Sequence, residues 1–204
     1  MADIKKLFSD NFESIIKPVV VLLAICIIIP FALAGTNAIT QKRIAELAIK
    51  QRDEAMSTLF ADCEFTEAEI KGNEYFTAKD NDALVGYIVT NVAKGYGGDV
   101  SVMTAINTDG TVKAVKILDV SNETPGLGQN VTKESFYSQF TGMMGEVSIK
   151  KNGADNAKNE VSPVTGATIS STAVKNAVND ALEVYSEILT MGKTEVQEVT
   201  ADEK

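Results

Sequence analysis

The chain has 204 residues, 45% hydrophobic and 23% charged, with 19 Lys and Arg against 28 Asp and Glu, a formal net charge of −9, and neither His nor Trp. That length suits one domain of ordinary size with an appendage. Without His, the commonest general base and the commonest zinc ligand are missing, which excludes a Ser-His-Asp hydrolase, a Cys-His protease and a His-ligated metal centre. The acidic balance argues against nucleic acid as a partner, because neutralising phosphates takes clustered Lys and Arg. Cys26 and Cys63 are too few for a disulfide framework or a CxxC metal site. Chemistry on such a chain needs an imported cofactor.

Residues 1–17 form a short, charge-balanced N-terminal segment. Residues 1–40 hold three basic and three acidic groups, so the whole −9 belongs to residues 41–204. From Pro18 to Gln41 there is no charge, and Val19–Ile29 is uninterruptedly apolar. As a helix these 24 residues span roughly 36 Å, enough for a hydrocarbon core of about 30 Å. The span 18–40 therefore reads as a transmembrane anchor, with Pro30 tolerable inside it. A cleaved signal peptide competes with that reading, because Ala32-Leu-Ala34 precedes Gly35 in an A-x-A pattern. Ile25 before Cys26 argues against a lipoprotein site. Lys5, Lys6 and Lys17 on one side nearly balance Lys42, Arg43, Lys50 and Arg52 on the other, so the charge count leaves orientation open.

Residues 41–62 read as a connecting helix, with Ile44, Leu47, Ala48, Ala55 and Leu59 on one face. Cys63 reads as a half-buried small side chain. From there to residue 192 the pattern is that of one α+β domain with an antiparallel sheet and packed helices. Leu84–Thr90 is rich in β-formers, and Val100, Val102, Thr104 and Ile106 alternate as in a half-buried strand. Asn107-Thr-Asp-Gly110 supplies a hairpin turn, with Thr111–Val120 as the return strand. Phe136, Phe140 and Met143 suggest a short helix before a polar loop at 150–160. Ala173, Val174, Ala177, Val178, Ala181, Leu182, Tyr185, Ile188 and Leu189 make one apolar face of a last helix, opposite Lys175, Asn176, Asn179, Asp180 and Glu183. Residues 193–204 read as a frayed acidic tail.

Three stretches in this domain could carry chemistry. Ser162-Pro-Val-Thr-Gly-Ala-Thr-Ile-Ser-Ser171 opens the last helix. There Gly166 and Ala167 admit a close backbone approach, and the hydroxyls of Thr165, Thr168, Ser170 and Ser171 gather at a helix N-terminus suited to phosphate. One of those hydroxyls serving as an ordinary N-cap is the plainer alternative. Glu123-Thr-Pro-Gly-Leu-Gly128 has the chemistry of a type II turn, Pro125 presetting φ and Gly126 taking the positive one. Gly95-Tyr-Gly-Gly98 places Tyr96 between glycines, where its ring could face an aromatic ligand.

In this order, GYGG, hairpin, ETPGLG and TGATxSS, the chain resembles the flavin-binding G subunit of the Rnf electron-transport complex. It is similar as well to the C subunit of the sodium-pumping NADH:quinone reductase. The resemblance runs from the N-terminal segment to about residue 190. It implies FMN joined through its phosphate to the second Thr of the (S/T)GAT motif, here Thr168, by a separate flavin transferase with FAD as donor. It also implies that Glu123, Thr124, Gly126 and Leu127 border the ring and that Thr165 and Gly166 lie near the ribityl-phosphate, with Pro125, Gly128, Tyr96, Ala167, Ser170 and Ser171 as further cofactor-binding residues. The transferase motif usually carries Asp six residues before the acceptor, where this chain has Ser162. By the same resemblance the anchor is retained in the cytoplasmic membrane, and the domain faces the extracytoplasmic side. The partners would be membrane lipid and the other subunits of a complex coupling ferredoxin and NAD⁺ to ion movement, with no nucleic acid and no metal. No residue need then act as acid or base, since the redox chemistry is the cofactor's. Two alternatives differ from this: another flavinylated electron-transfer setting, or a cofactor-free module in which TGAT is only a helix cap.

Overall fold

The computed structural model describes the backbone of residues 2–201 and the side chains of residues 16–191. The chain divides into two compact units, residues 1–50 and 51–204. The described residues of the first, 2–50, are all helical and belong to α1 (Ala2–Leu59), with Pro18 and Pro30 inside the helix. The helix is long and apolar enough to cross a membrane. Its side chains from Ile16 to Lys50 are exposed, Ile44 and Leu47 among them. The helix has no break between the stretches expected as anchor and connector.

The second unit opens with the last turns of α1, where Ala55, Met56 and Leu59 are buried together with Phe60. Five strands follow: β1 (Glu64–Ile70), β2 (Asn73–Asp80), β3 (Ala83–Lys94), β4 (Asp99–Asn107) and β5 (Val112–Asp119). They pair antiparallel in sequence order. Two-residue turns join the first three, with positive φ at Lys71 and Gly72 and at Asn81 and Asp82, the geometry that matches strand twist in tight hairpins. The expected Asn107–Gly110 turn is present, Gly110 N–H donating to the Asn107 carbonyl at 3.0 Å. β1 and β2 occupy a stretch that the hydropathy pattern passes over, because exposed side chains such as Glu64, Glu67, Glu74 and Lys79 give it no apolar alternation.

The strand at 100–106 is not half-buried. Val100, Val102, Thr104 and Ile106 are fully covered on one face, and Met103 and Ala105 on the other. It belongs to a part of the sheet covered on both sides, so both of its residue sets are shielded.

After β5 come a 3₁₀ turn (Gly128–Thr132), the short α2 (Glu134–Tyr137) and a second 3₁₀ turn (Ser138–Phe140). The polar stretch near 150–160 carries a small parallel pair, β6 (Ser148–Ile149) with β7 (Glu160–Val161). α3 (Thr168–Ala201) closes the fold. Ala173, Val174, Ala177, Val178, Ala181, Leu182 and Tyr185 are buried against the sheet as the spacing requires, whereas Leu189 is exposed. Asn179, on the polar face, is half-buried and clamps Val147, accepting from its N–H at 2.8 Å and donating to its carbonyl at 3.0 Å. Side chains beyond Met191, and with them the expected acidic tail at 193–204, lie outside the described residues. So do the side chains of the N-terminal segment through residue 15.

Candidate functional site

The three Gly- and hydroxyl-rich stretches meet at one place. The loop between β3 and β4 closes with Gly95 N–H on the Gly98 carbonyl at 2.8 Å. The chain leaving β5 turns at Thr124–Leu127, where Leu127 N–H reaches the Thr124 carbonyl at 3.1 Å and Gly126 has φ 73°. That is the type II turn expected from Pro-Gly. The segment before α3 is held by Ala167 N–H on the Val164 carbonyl at 2.9 Å, and Gly166 takes φ 77°. A side chain at Gly166 would also press on Leu127 Cδ1, 2.8 Å from its Cβ position, so strain and space both require glycine there.

Between these loops lies an open pocket of about 560 Å³ lined by Tyr96, Glu123, Thr124, Leu127, Gly128, Gly166, Ala167, Thr168, Ile169 and Ser170, within the size range of small-molecule sites. Its lining includes neither Lys nor Arg. Nine of the expected site residues are thus brought together. Ile169 joins them without having been anticipated; it is 53% exposed, and only its place between two hydroxyl residues could have signalled it. Four expected residues stand off the wall. Pro125 and Gly126 form the outer tip of the turn. Thr165 lines a neighbouring cleft shared with Lys133, Gln139 and Ser162. Ser171 is fully buried, accepting from Val164 N–H at 3.0 Å and donating to the Ala167 carbonyl at 2.9 Å.

The four hydroxyls therefore have four different jobs. Ser171, inside the first turn of α3, ties the approach loop to the helix by accepting from Val164 N–H, and it is not an N-cap, since its hydroxyl receives no helix N–H. Ser170, buried, donates to Glu123 Oε2 at 2.6 Å. Thr165 is exposed. Thr168, the first residue of α3, is half-buried on the pocket wall, where the free N–H groups of a helix start favour an anion.

Glu123 lines the pocket with its carboxylate turned into the protein. It is 1% exposed and accepts from Gly97 N–H at 3.0 Å through Oε1, as well as from Ser170. Burial alone would push its carboxyl up. The hydrogen bonds from Ser170 and from the N–H groups of Gly97, Tyr96 and Gly98 outweigh burial and hold it below the usual carboxylate range.

A family model described as an FMN-binding domain matches residues 95–183. Those residues run from the first glycine of the β3–β4 loop into α3. The G subunit of the proton-translocating ferredoxin:NAD(+) oxidoreductase complex of Clostridium ljungdahlii is 31% identical over 158 residues, 78% of this chain and 84% of the relative. The G subunit of the Na(+)-translocating ferredoxin:NAD(+) oxidoreductase complex of Acetobacterium woodii is 31% identical over 198 residues, 87% of this chain and 95% of the relative. Among solved structures, the C subunit of the Na(+)-translocating NADH-quinone reductase of Parabacteroides distasonis matches with a TM-score of 0.50 at 24% identity. That match covers 58% of this chain and 63% of the other, just under two thirds of it, and bears on the fold.

Proposed function

The chain belongs to the family of G subunits of ion-translocating oxidoreductase complexes, and from that premise we propose that it carries covalent FMN, esterified to Thr168, as an electron-transfer subunit held in the membrane by α1. FMN binding, membership of a complex of several subunits and service in electron transfer between ferredoxin and NAD⁺ follow from the family. Attachment, anchoring, and an extracytoplasmic position for residues 63–192 are the further steps.

The observation that carries the reading is the position of Thr168, a side chain on the wall of the pocket where all three motifs meet, at the start of a helix. Its hydroxyl would displace AMP from FAD in the transferase, leaving FMN on the Thr168 oxygen as a phosphodiester. The lining fits such a group. The N–H groups that open α3 would hold the phosphate, Gly166 leaves backbone space, and Tyr96, Leu127 and Ile169 would offer apolar contact to a ring. With no Lys or Arg in the lining, hydrogen bonds alone would have to retain a free phosphate; an ester to Thr168 makes retention permanent. The bound flavin supplies the electron chemistry, while this chain's residues fix its position and polarity. Anchoring is supported by the uncharged run at 18–41 and its exposed helical side chains.

The test is expression of the full chain with a flavin transferase, followed by denaturation, in-gel flavin fluorescence and intact mass. The wild type is expected to retain FMN, Thr168→Ala to lose it, and Thr165→Ala to keep it. A non-fluorescent wild-type band would support the cofactor-free alternative instead.

A further inference from the structure

We propose that Glu123 is the positioning residue of the flavin pocket and that its fixed charge lowers the reduction potential of the flavin held there; this rests on the pocket being the flavin site. The carboxylate spans two walls. Oε1 takes the N–H of Gly97 at 3.0 Å and Oε2 takes the hydroxyl of Ser170 at 2.6 Å. One bond secures the loop that carries Tyr96; the other secures the first turn of α3, which carries Thr168.

The packing around Glu123 is equally specific. A Cβ on Gly95 or Gly128 would run into its carboxylate oxygens, and one on Gly97 or Gly98 would run into Asn122 beside it. The glycines of GYGG and the last glycine of ETPGLG thus make room for this side chain and its neighbour, so the motifs are legible as one device built around a buried acid.

Among the described residues no Lys or Arg pairs with Glu123, and N–H and O–H dipoles alone meet its charge. A buried, unpaired charge is costly to hold, and in a poorly screened wall it acts strongly on any charge beside it. Two electrons and one proton taken up by the bound flavin add one negative charge to it. Glu123 opposes that addition, so the oxidised form is favoured and the potential falls.

The experiment uses the full chain, loaded with FAD and transferase, as wild type, Glu123→Gln, Glu123→Ala and Ser170→Ala. Potentials come from dithionite titration with mediators, and loop order from amide hydrogen exchange of the unloaded protein. Glu123→Gln keeps the side-chain length and removes the charge; its oxidised-to-reduced ratio at fixed potential should fall about tenfold, equivalent to about 30 mV for a two-electron couple. Ser170→Ala keeps the charge, so its shift in potential should be smaller than that of Glu123→Gln, and a shift as large overturns the role of the charge. In Glu123→Ala the Gly97 amide should exchange about tenfold faster. A Glu123→Gln potential equal to wild type overturns the electrostatic role, and unchanged Gly97 exchange in Glu123→Ala overturns the positioning role. If even the wild type takes no flavin, the functional reading falls, while hydrogen exchange still decides whether Glu123 orders the loop.

Discussion

On one face of the five-stranded sheet, Val100, Val102, Ile106, Val112 and Val115 meet the apolar stripe of α3, and Phe136, Phe140 and Met143 extend that layer. On the other face, Ile88, Met103 and Ala105 meet the last turns of α1 and Phe60. The shallow face makes up its cover from cations: the Lys113 Nζ lies 3.8 Å from the Phe60 ring centre, and the Arg52 guanidinium 5.0 Å from that of Phe76. The Phe60 ring itself lies where a Cβ on Gly86 would be. The deep face also carries the helix whose first residues form the pocket. The site therefore shares its side of the sheet with the larger core layer, while the other side packs on Phe60 and the last turns of α1.

The sharpest way to break this contrast is a charge in the deep layer. Val178, fully buried on α3, replaced by Asp should cost more than about 5 kcal/mol. That would abolish the cooperative thermal transition together with flavin loading. Phe60→Ala should cost about 3–5 kcal/mol, lowering Tm but leaving loading intact at temperatures where the variant is folded. If loading falls in step with stability, the two faces do not act separately.

A smaller, pH-dependent effect belongs to the deep side alone. Because the Glu123 carboxyl is held low in the folded protein, its contribution is fully present above about 4.5, the ordinary Glu value, and is lost as pH falls through the lower folded value. Glu123→Gln should therefore flatten the acid limb of a stability–pH profile, and the same profile measured on Phe60→Ala should keep that limb. The smallest effect runs the other way. Thr104 Oγ1 is buried without a hydrogen-bond partner among the described residues, so Thr104→Val, which has the same shape, should stabilise by about 1–2 kcal/mol. A Tm at or below wild type would show that the hydroxyl does find a partner.

These contrasts follow the limits of what the sequence reveals. The α3 stripe and the Asn107–Gly110 hairpin were legible because period and turn chemistry are local. β1 and β2 were not, since their stability comes from pairing and their side chains are mostly charged or small. The double burial of β4 depends on what α1 and α3 place over it, which no alternation within the strand can announce. At the site, the motifs pointed to the loops that line one pocket but not to the division of labour among their residues. Thr165 turned to another cleft and Glu123 turned inward are outcomes of packing between segments far apart in sequence. The resemblance to known flavin-binding proteins supplied the chemistry, and the geometry shows which residues share a wall.

Each strand of the sheet pairs with its neighbour in the chain, so the sheet can assemble hairpin by hairpin during synthesis. Its deep face can close only when α3, the last of the described elements, is in place. The proposed acceptor, Thr168, is the leading residue of that element. A prematurely ended chain would leave the valines of β4 and β5 uncovered and offer no ordered hydroxyl. Cover for that face and presentation of the proposed acceptor would thus be gained in one step, as α3 docks.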